Sequence, residues 1–254
     1  MLRVKGLTKE QHRCLVCGYP VTPDRLLWPG ICMVCNSACY DYWDKNESWT
    51  KGNGLRGRYS LSLELELEPH RVVHSFLLRL GFLPTFDRTI SEGKEWKSPI
   101  YVSSRILRRD LQKIFSLVAN KDVVSTHIHI GLYNGKEDDV EAIQDYFRSC
   151  GKRLAERIVG STKNYTLLFG RTFGPYADFD CSTDSKFFWI NTIHTNTVEF
   201  RLPRFVSYRQ ALAVINCCLD WMEAARRNAP ARTLFNVFVK RLKEVEEYEK
   251  ARIS

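Results

Sequence analysis

The chain has 254 residues, 44% of them hydrophobic and 26% charged, enough apolar material for one good-sized domain and a small appendage. No apolar run approaches the ~20 residues of a spanning helix, and the polar start, residues 1–12, lacks the apolar stretch of a secretory signal, so the expectation is a cytoplasmic protein without a membrane span. The net charge of +9 favours anionic partners such as nucleic acid, nucleotide phosphates or acidic substrates, and its spread over 51–58, 105–113, 148–157 and 225–250 excludes a single basic tail.

The first unit is residues 10–43. It holds five of the nine cysteines: Cys14-x-x-Cys17, fourteen residues, Cys32-x-x-Cys35, and then Cys39. Each knuckle places two thiolates on one tight turn, and two turns complete a tetrahedral Zn²⁺ site. The expected ligands are Cys14, Cys17, Cys32 and Cys35, with Cys39 as the alternative to Cys35. The odd cysteine count argues against a disulfide framework. The zinc would be structural, holding a fold too small to hold itself. Residues 44–57 are polar and rich in Gly, Asn and Lys, and they read as a linker to a main domain over 58–254.

In that domain Ser60 to Glu68 alternates strictly, with Leu61, Leu63, Leu65 and Leu67 on one face and Ser62, Glu64, Glu66 and Glu68 on the other. Period two predicts a half-buried strand. Residues 93–98 suit a second strand, ended by Pro99. Residues 103–118 have helical periodicity in Leu107, Leu111, Ile114, Phe115 and Val118. A strand over 123–132, a helix over 137–158 and strands over 187–193 and 196–202 follow. The C-terminal helices occupy 207–250, as 207–226 and 231–250 with Pro230 between them. Strands and helices mix without strict alternation, so the predicted class is α+β with a largely antiparallel sheet.

Five short patterns carry chemistry. Glu64, Glu66 and Glu68 share one strand face within ~14 Å, a repulsion that a hard divalent cation relieves. His127 and His129 share a face of their strand, a spacing that suits a metal or a phosphate. Glu199 and Arg201 do the same. Arg171 follows Phe169-Gly170 in a loop, where a guanidinium can clamp a phosphate. Glu95 lies on the short strand after an Asp87-x-Thr89-Ile90 turn.

Taken in order, these patterns resemble the amidoligase family, relatives of glutamine synthetase and glutamate–cysteine ligase. The resemblance runs from about Arg58 to Pro203. It is carried by Leu61-Ser-Leu-Glu-Leu-Glu66, Asp87-Arg-Thr-Ile90, Gly93-Lys-Glu95, Ser98-Pro99, His127-Ile-His129, Phe169-Gly-Arg171 and Thr197-Val-Glu-Phe-Arg201. Family members usually have Gly where Ser62 stands, and Gly-Ser where Arg88-Thr89 stand.

The resemblance implies a curved antiparallel sheet, glutamine synthetase-like, with helices on one side and an active site on its concave face. It implies Glu64, Glu66, Glu95 and Glu199 as Mg²⁺ ligands. His127 and His129, the latter foremost, would hold the metal–nucleotide complex, and Arg171 and Arg201 the transferred phosphoryl group. The reaction implied is ATP-dependent ligation of a carboxylate to an amine through an acyl phosphate. The partners would be an amino acid, peptide or protein bearing those groups, with Glu68 a candidate to accept the ammonium proton.

Two other classes compete. A histidine–hydrophobe–histidine nuclease also presents His-x-His on a strand, binds a divalent cation and suits the positive charge. It needs a tyrosine nucleophile, for which Tyr146 is the candidate, and it leaves Glu66, Glu95, Glu199 and Arg201 without a task. A zinc-ribbon protein that binds nucleic acid through its basic surface is the other; it predicts salt-sensitive binding and no ATP turnover.

Overall fold

The computed structural model describes residues 53–67, 76–85, 94–117, 123–133, 135–161, 168, 189–194, 196–201, 204–205 and 207–253, together with two short strands at 26–27 and 31–32. Those strands, β1 (Leu26–Leu27) and β2 (Ile31–Cys32), pair antiparallel with Leu26 opposite Cys32. They follow the first cysteine knuckle in sequence, and β2 ends on Cys32, the first cysteine of the second. Cys14, Cys17, Cys35 and Cys39 fall outside the described residues, and of Cys32 only the backbone is described.

The main sheet has six strands in the order β4-β5-β3-β6-β8-β7, every neighbouring pair antiparallel. They are β3 (Tyr59–Leu67), β4 (Leu83–Thr85), β5 (Lys94–Lys97), β6 (Val123–Leu132), β7 (Ile190–Asn191) and β8 (Val198–Phe200). Among the described residues four helices accompany them: α1 (Ser104–Leu117), α2 (Glu137–Ser161), α3 (Tyr208–Arg226) and α4 (Ala231–Ile253). The predicted α+β class with an antiparallel sheet is what the chain adopts. Among the described residues no helix is long and apolar enough to cross a membrane.

The alternation of β3 sorts the two faces. Its leucines are buried, while Ser60, Ser62, Glu64 and Glu66 are half-buried on the opposite face. Leu61 and Leu63 join Ile128 and Ile130 of β6, Val198 and Phe200 of β8, and the apolar sides of all four helices in one core. Aromatic edges tie the layers: Phe147 of α2 meets Phe200, and Trp221 of α3 meets both Phe200 and Trp189. Buried aromatic pairs of this kind add about 0.5–1.5 kcal/mol each beyond their area.

Helix α3 is the axis of the helical layer. Its start is capped by Ser207, whose hydroxyl accepts from the Gln210 N–H at 3.2 Å. Its end is a Schellman turn: Asn228 adopts φ +48°, its N–H donates to Ala225 O, and the Ala229 N–H donates to Ala224 O, both at 2.9 Å. Pro230 then opens α4, and Trp221 Nε1 donates to Leu234 O across the pair (2.8 Å).

The domain packs from further upstream than the expected start at 58. Leu55, placed in the linker by composition, is 1% exposed and bridges to Tyr59, within a turn whose Gly54 and Gly57 both take positive φ. Arg56 pairs with Asp220 of α3, and the Tyr59 hydroxyl donates to Glu223 (2.7 Å). A polar, glycine-rich stretch reads as a linker because only two of residues 44–57, Trp49 and Leu55, are large and apolar.

Candidate metal and anion site on the polar sheet face

Strand register stacks the chemistry-bearing residues in rows across the polar face. In one row Glu95 of β5 faces Glu66 of β3, which faces Ser125 of β6. In the next, Lys97 faces Glu64, which faces His127. In the third, Ser62 faces His129, which faces Glu199 of β8, which faces Asn191 of β7. Side chains two apart on a strand point the same way, so four carboxylates, two histidines and Lys97 meet by register alone. Arg201, just beyond β8, turns back onto Glu199, its Nε donating to Oε1 at 2.7 Å.

The contacts are close. His127 Nδ1 lies 3.1 Å from Glu64 Oε2 and 3.3 Å from Glu199 Oε1, and its Nε2 lies 3.6 Å from Glu66 Oε1. His129 Nε2 lies 3.3 Å from Glu64 Oε1 and 3.8 Å from Glu199 Oε1. Lys97 Nζ bridges Glu64 (2.8 Å) and Glu95 (3.4 Å). Glu199 is 1% exposed and also receives the Asn191 amide (2.8 Å).

Burial alone would raise both central carboxyls, since it penalises charge. The close approach of His127, His129 and Lys97 outweighs it at Glu64 and holds that group well below the usual carboxylate range. At Glu199 the bond from His194 and the charges of Arg201 and the two strand histidines bring the pKa down to about 2. Lys97 is pushed up: its burial favours the neutral amine, but Glu64 and Glu95 overcome that. Both carboxylates are therefore ionised at neutral pH.

Four carboxylates thus face two permanent cations, Lys97 and Arg201. A carboxylate-rich set of this kind is suited to offsetting by a divalent cation. Among the described residues, two groups have donor atoms within 4.8 Å of one another: Glu64, His127 and Glu199, and His129, His194 and Glu199. The oxygen-rich donor set fits a hard divalent ion, and the imidazoles add nitrogen donors beside it.

Sequence expectation and geometry coincide for Glu64, Glu66, Glu95, His127, His129, Glu199 and Arg201, which share this face. Arg171 and Glu68 lie outside the described residues. Tyr146 lies elsewhere: it sits on α2 against the apolar core, and its hydroxyl donates to Ala229 O at 2.6 Å. The sheet separates it from the histidines.

Three contributors were not anticipated. Lys97 stands two residues after Glu95 on one strand, so the period-two rule already placed it on the Glu95 face. Asn191 lies on the strand beside Glu199. His194 occupies the β7–β8 turn, with Nε2 3.1 Å from Glu199 Oε2, and that hydrogen bond raises its pKa. Its signal was its place between the two expected strands, one of which carries Glu199-x-Arg201.

No protein-family model matches the chain, and no relative is found among curated proteins. The reading of the site therefore rests on its residues.

Proposed function

We propose that this protein is an ATP- and Mg²⁺-dependent carboxylate–amine ligase of the cytoplasm, resembling the amidoligases, with a structural zinc module at residues 10–43. The observation that carries the reading is the convergence of Glu64, Glu66, Glu95, Glu199, His127, His129 and Arg201 on one face of adjacent antiparallel strands. A solvent-facing strand would normally mix charges of both signs. Here the carboxylates are mostly buried and face histidines instead.

Glu64, Glu66, Glu95 and Glu199 would hold Mg²⁺, with His127 beside them. His129 would orient the nucleotide complex. When bound, Mg²⁺ would supply compensation for the charge that develops in phosphoryl transfer. Arg201, with Arg171, would stabilise the phosphoryl group as it moves to the substrate carboxylate, which becomes an acyl phosphate. An amine then displaces phosphate and leaves an amide. Losing one such charge-stabilising contact costs about 2.7–4 kcal/mol, a factor of ~10²–10³ in rate. The β1–β2 pair, which ends on Cys32 of the second knuckle, suits a zinc-ribbon arrangement. Such a module would serve a peptide or protein substrate by recruiting it.

The nuclease alternative requires a tyrosine hydroxyl facing the histidines, and Tyr146 is engaged on the opposite side of the sheet. The test is ATP turnover with panels of acids and amines, read by ADP release and by mass spectrometry for a product lighter by one water than its two parents. The reading predicts ADP only when both partners are present. Glu66→Gln with full ligase activity would sink the metal assignment, and a covalent DNA–Tyr146 adduct would replace the ligase with a nuclease.

A further inference from the structure

We infer that His129, His194 and Glu199 form a second, nitrogen-rich metal site that selects a divalent transition-metal ion over Mg²⁺. The inference does not depend on the ligase reading, because it concerns binding in the absence of nucleotide.

Three observations carry it. The first is an orphaned atom. His129 Nε2 is buried and has no hydrogen-bond partner, yet it lies 3.3 Å from Glu64 and 3.8 Å from Glu199. A buried polar atom is normally satisfied; a ring nitrogen aimed between carboxylates without bonding to either is placed as a ligand.

The second is spacing. His194 Nε2 lies 3.1 Å from Glu199 Oε2, the rings of His129 and His194 are 5.3 Å apart, and the three donor atoms lie within 4.8 Å of one another. Ligands held at ~2.1 Å from one ion are separated by about 3.0–3.5 Å at right or tetrahedral angles. The His194 contact to Glu199, 3.1 Å, falls within that range, and the His129 contact, 3.8 Å, lies beyond it.

The third is a built scaffold behind the donors. Glu199 is fixed by Arg201 Nε at 2.7 Å and the Asn191 amide at 2.8 Å. Asn191 Oδ1 in turn accepts from the Ile193 N–H (3.0 Å), shaping the turn that presents His194. From the helical layer, the buried Gln144 of α2 donates to the carbonyls of His194 (2.5 Å) and Thr197 (3.0 Å) and holds both sides of the turn. Partners that orient ligands in this way are typical of metal sites. The His194 side chain is half-exposed, so the ion has a path from solvent and room for water or a substrate oxygen.

Two imidazoles and one carboxylate suit first-row transition-metal ions, whereas Mg²⁺ takes oxygen ligands almost alone. The probe is Mn²⁺, which the soft thiolates of residues 14–39 bind poorly. The full-length chain, free of any histidine tag and of nucleotide, is titrated with Mn²⁺ and read by continuous-wave and pulsed electron paramagnetic resonance. The expected result is a bound ion coupled to two imidazole nitrogens and retained against a large excess of Mg²⁺. His194→Ala should lose one nitrogen, weaken binding at least about tenfold, and let Mg²⁺ displace the ion. A wild-type spectrum with one nitrogen places the ion with Glu64, His127 and Glu199 and overturns the site. So does a nitrogen-free spectrum, or a His194→Ala protein with unchanged nitrogen count and affinity.

Discussion

Glu199 is the residue on which the site turns, because it is almost wholly enclosed and serves Arg201, Asn191, His194 and the strand histidines together. Removing one partner leaves a buried carboxylate short of compensation. Arg201→Ala should therefore destabilise by about 3 kcal/mol in urea unfolding, and on the ligase reading lower turnover ~10²–10³-fold. Acid sensitivity follows from the same residue. Its pKa falls from the usual 4.5 to about 2 on folding, so its contribution is fully present above the unfolded value. That contribution fades as pH drops toward 2, and the total is on the order of 3 kcal/mol. Stability measured from pH 6 to pH 2 should fall less steeply in Glu199→Gln than in wild type, although the variant starts lower. His194 works with the opposite sign: its pKa is raised, so its contribution is present below the ordinary histidine value and is lost as pH rises through the folded one.

At the level of elements, period two made the site legible. Once Leu61, Leu63, Leu65 and Leu67 are buried, Glu64 and Glu66 have no choice of face, and the same holds for His127 and His129 once Ile128 and Ile130 are buried. What periodicity cannot read is a residue in a turn, where no neighbour two positions away fixes its direction; His194 is such a residue. Edge strand β4 was missed for a related reason. It has three residues with Pro84 in the middle, and a proline inside a strand is tolerated only at an edge. Gly131 shows how tightly β6 meets the His194 turn. A Cβ there would stand 2.7 Å from Asn196 O and 3.2 Å from Ser60 Oγ. Gly131→Ala should displace the 194–197 turn, lower stability by about 1–3 kcal/mol, and weaken metal binding, all measurable on one preparation by thermal melting and Mn²⁺ titration. At the end of α3, Asn228 holds a left-handed conformation. Asn228→Gly should be neutral or slightly stabilising, and Asn228→Val should cost about 1–2 kcal/mol.

For the whole molecule, one apolar face and one polar face divide the labour. The helices and the leucine side of the sheet supply the core, and the carboxylate side carries the candidate site. The domain boundary was less legible than this division, because residues 54–57 contribute to packing through Leu55, a positive-φ turn and a single guanidinium rather than through a periodic pattern. A chain beginning at residue 53 should be more stable than one beginning at residue 58 by about 2–4 kcal/mol, the value of a buried leucine with its associated contacts. Denaturant midpoints of the two truncations, compared at equal slope, measure that difference.

Asp220 gives this architecture a mechanical character. One carboxylate oxygen takes Arg56 from the entrance of the domain, and the other takes Arg241 from its last helix, with Nη2 at 2.6 Å. The first and last segments of the domain are thus latched to the same side chain of the central helix. Tension applied to the two ends loads that latch before it reaches the hydrogen bonds of β3. In single-molecule pulling, Asp220→Asn should lower the force of the first rupture and leave the later unravelling of the sheet unchanged.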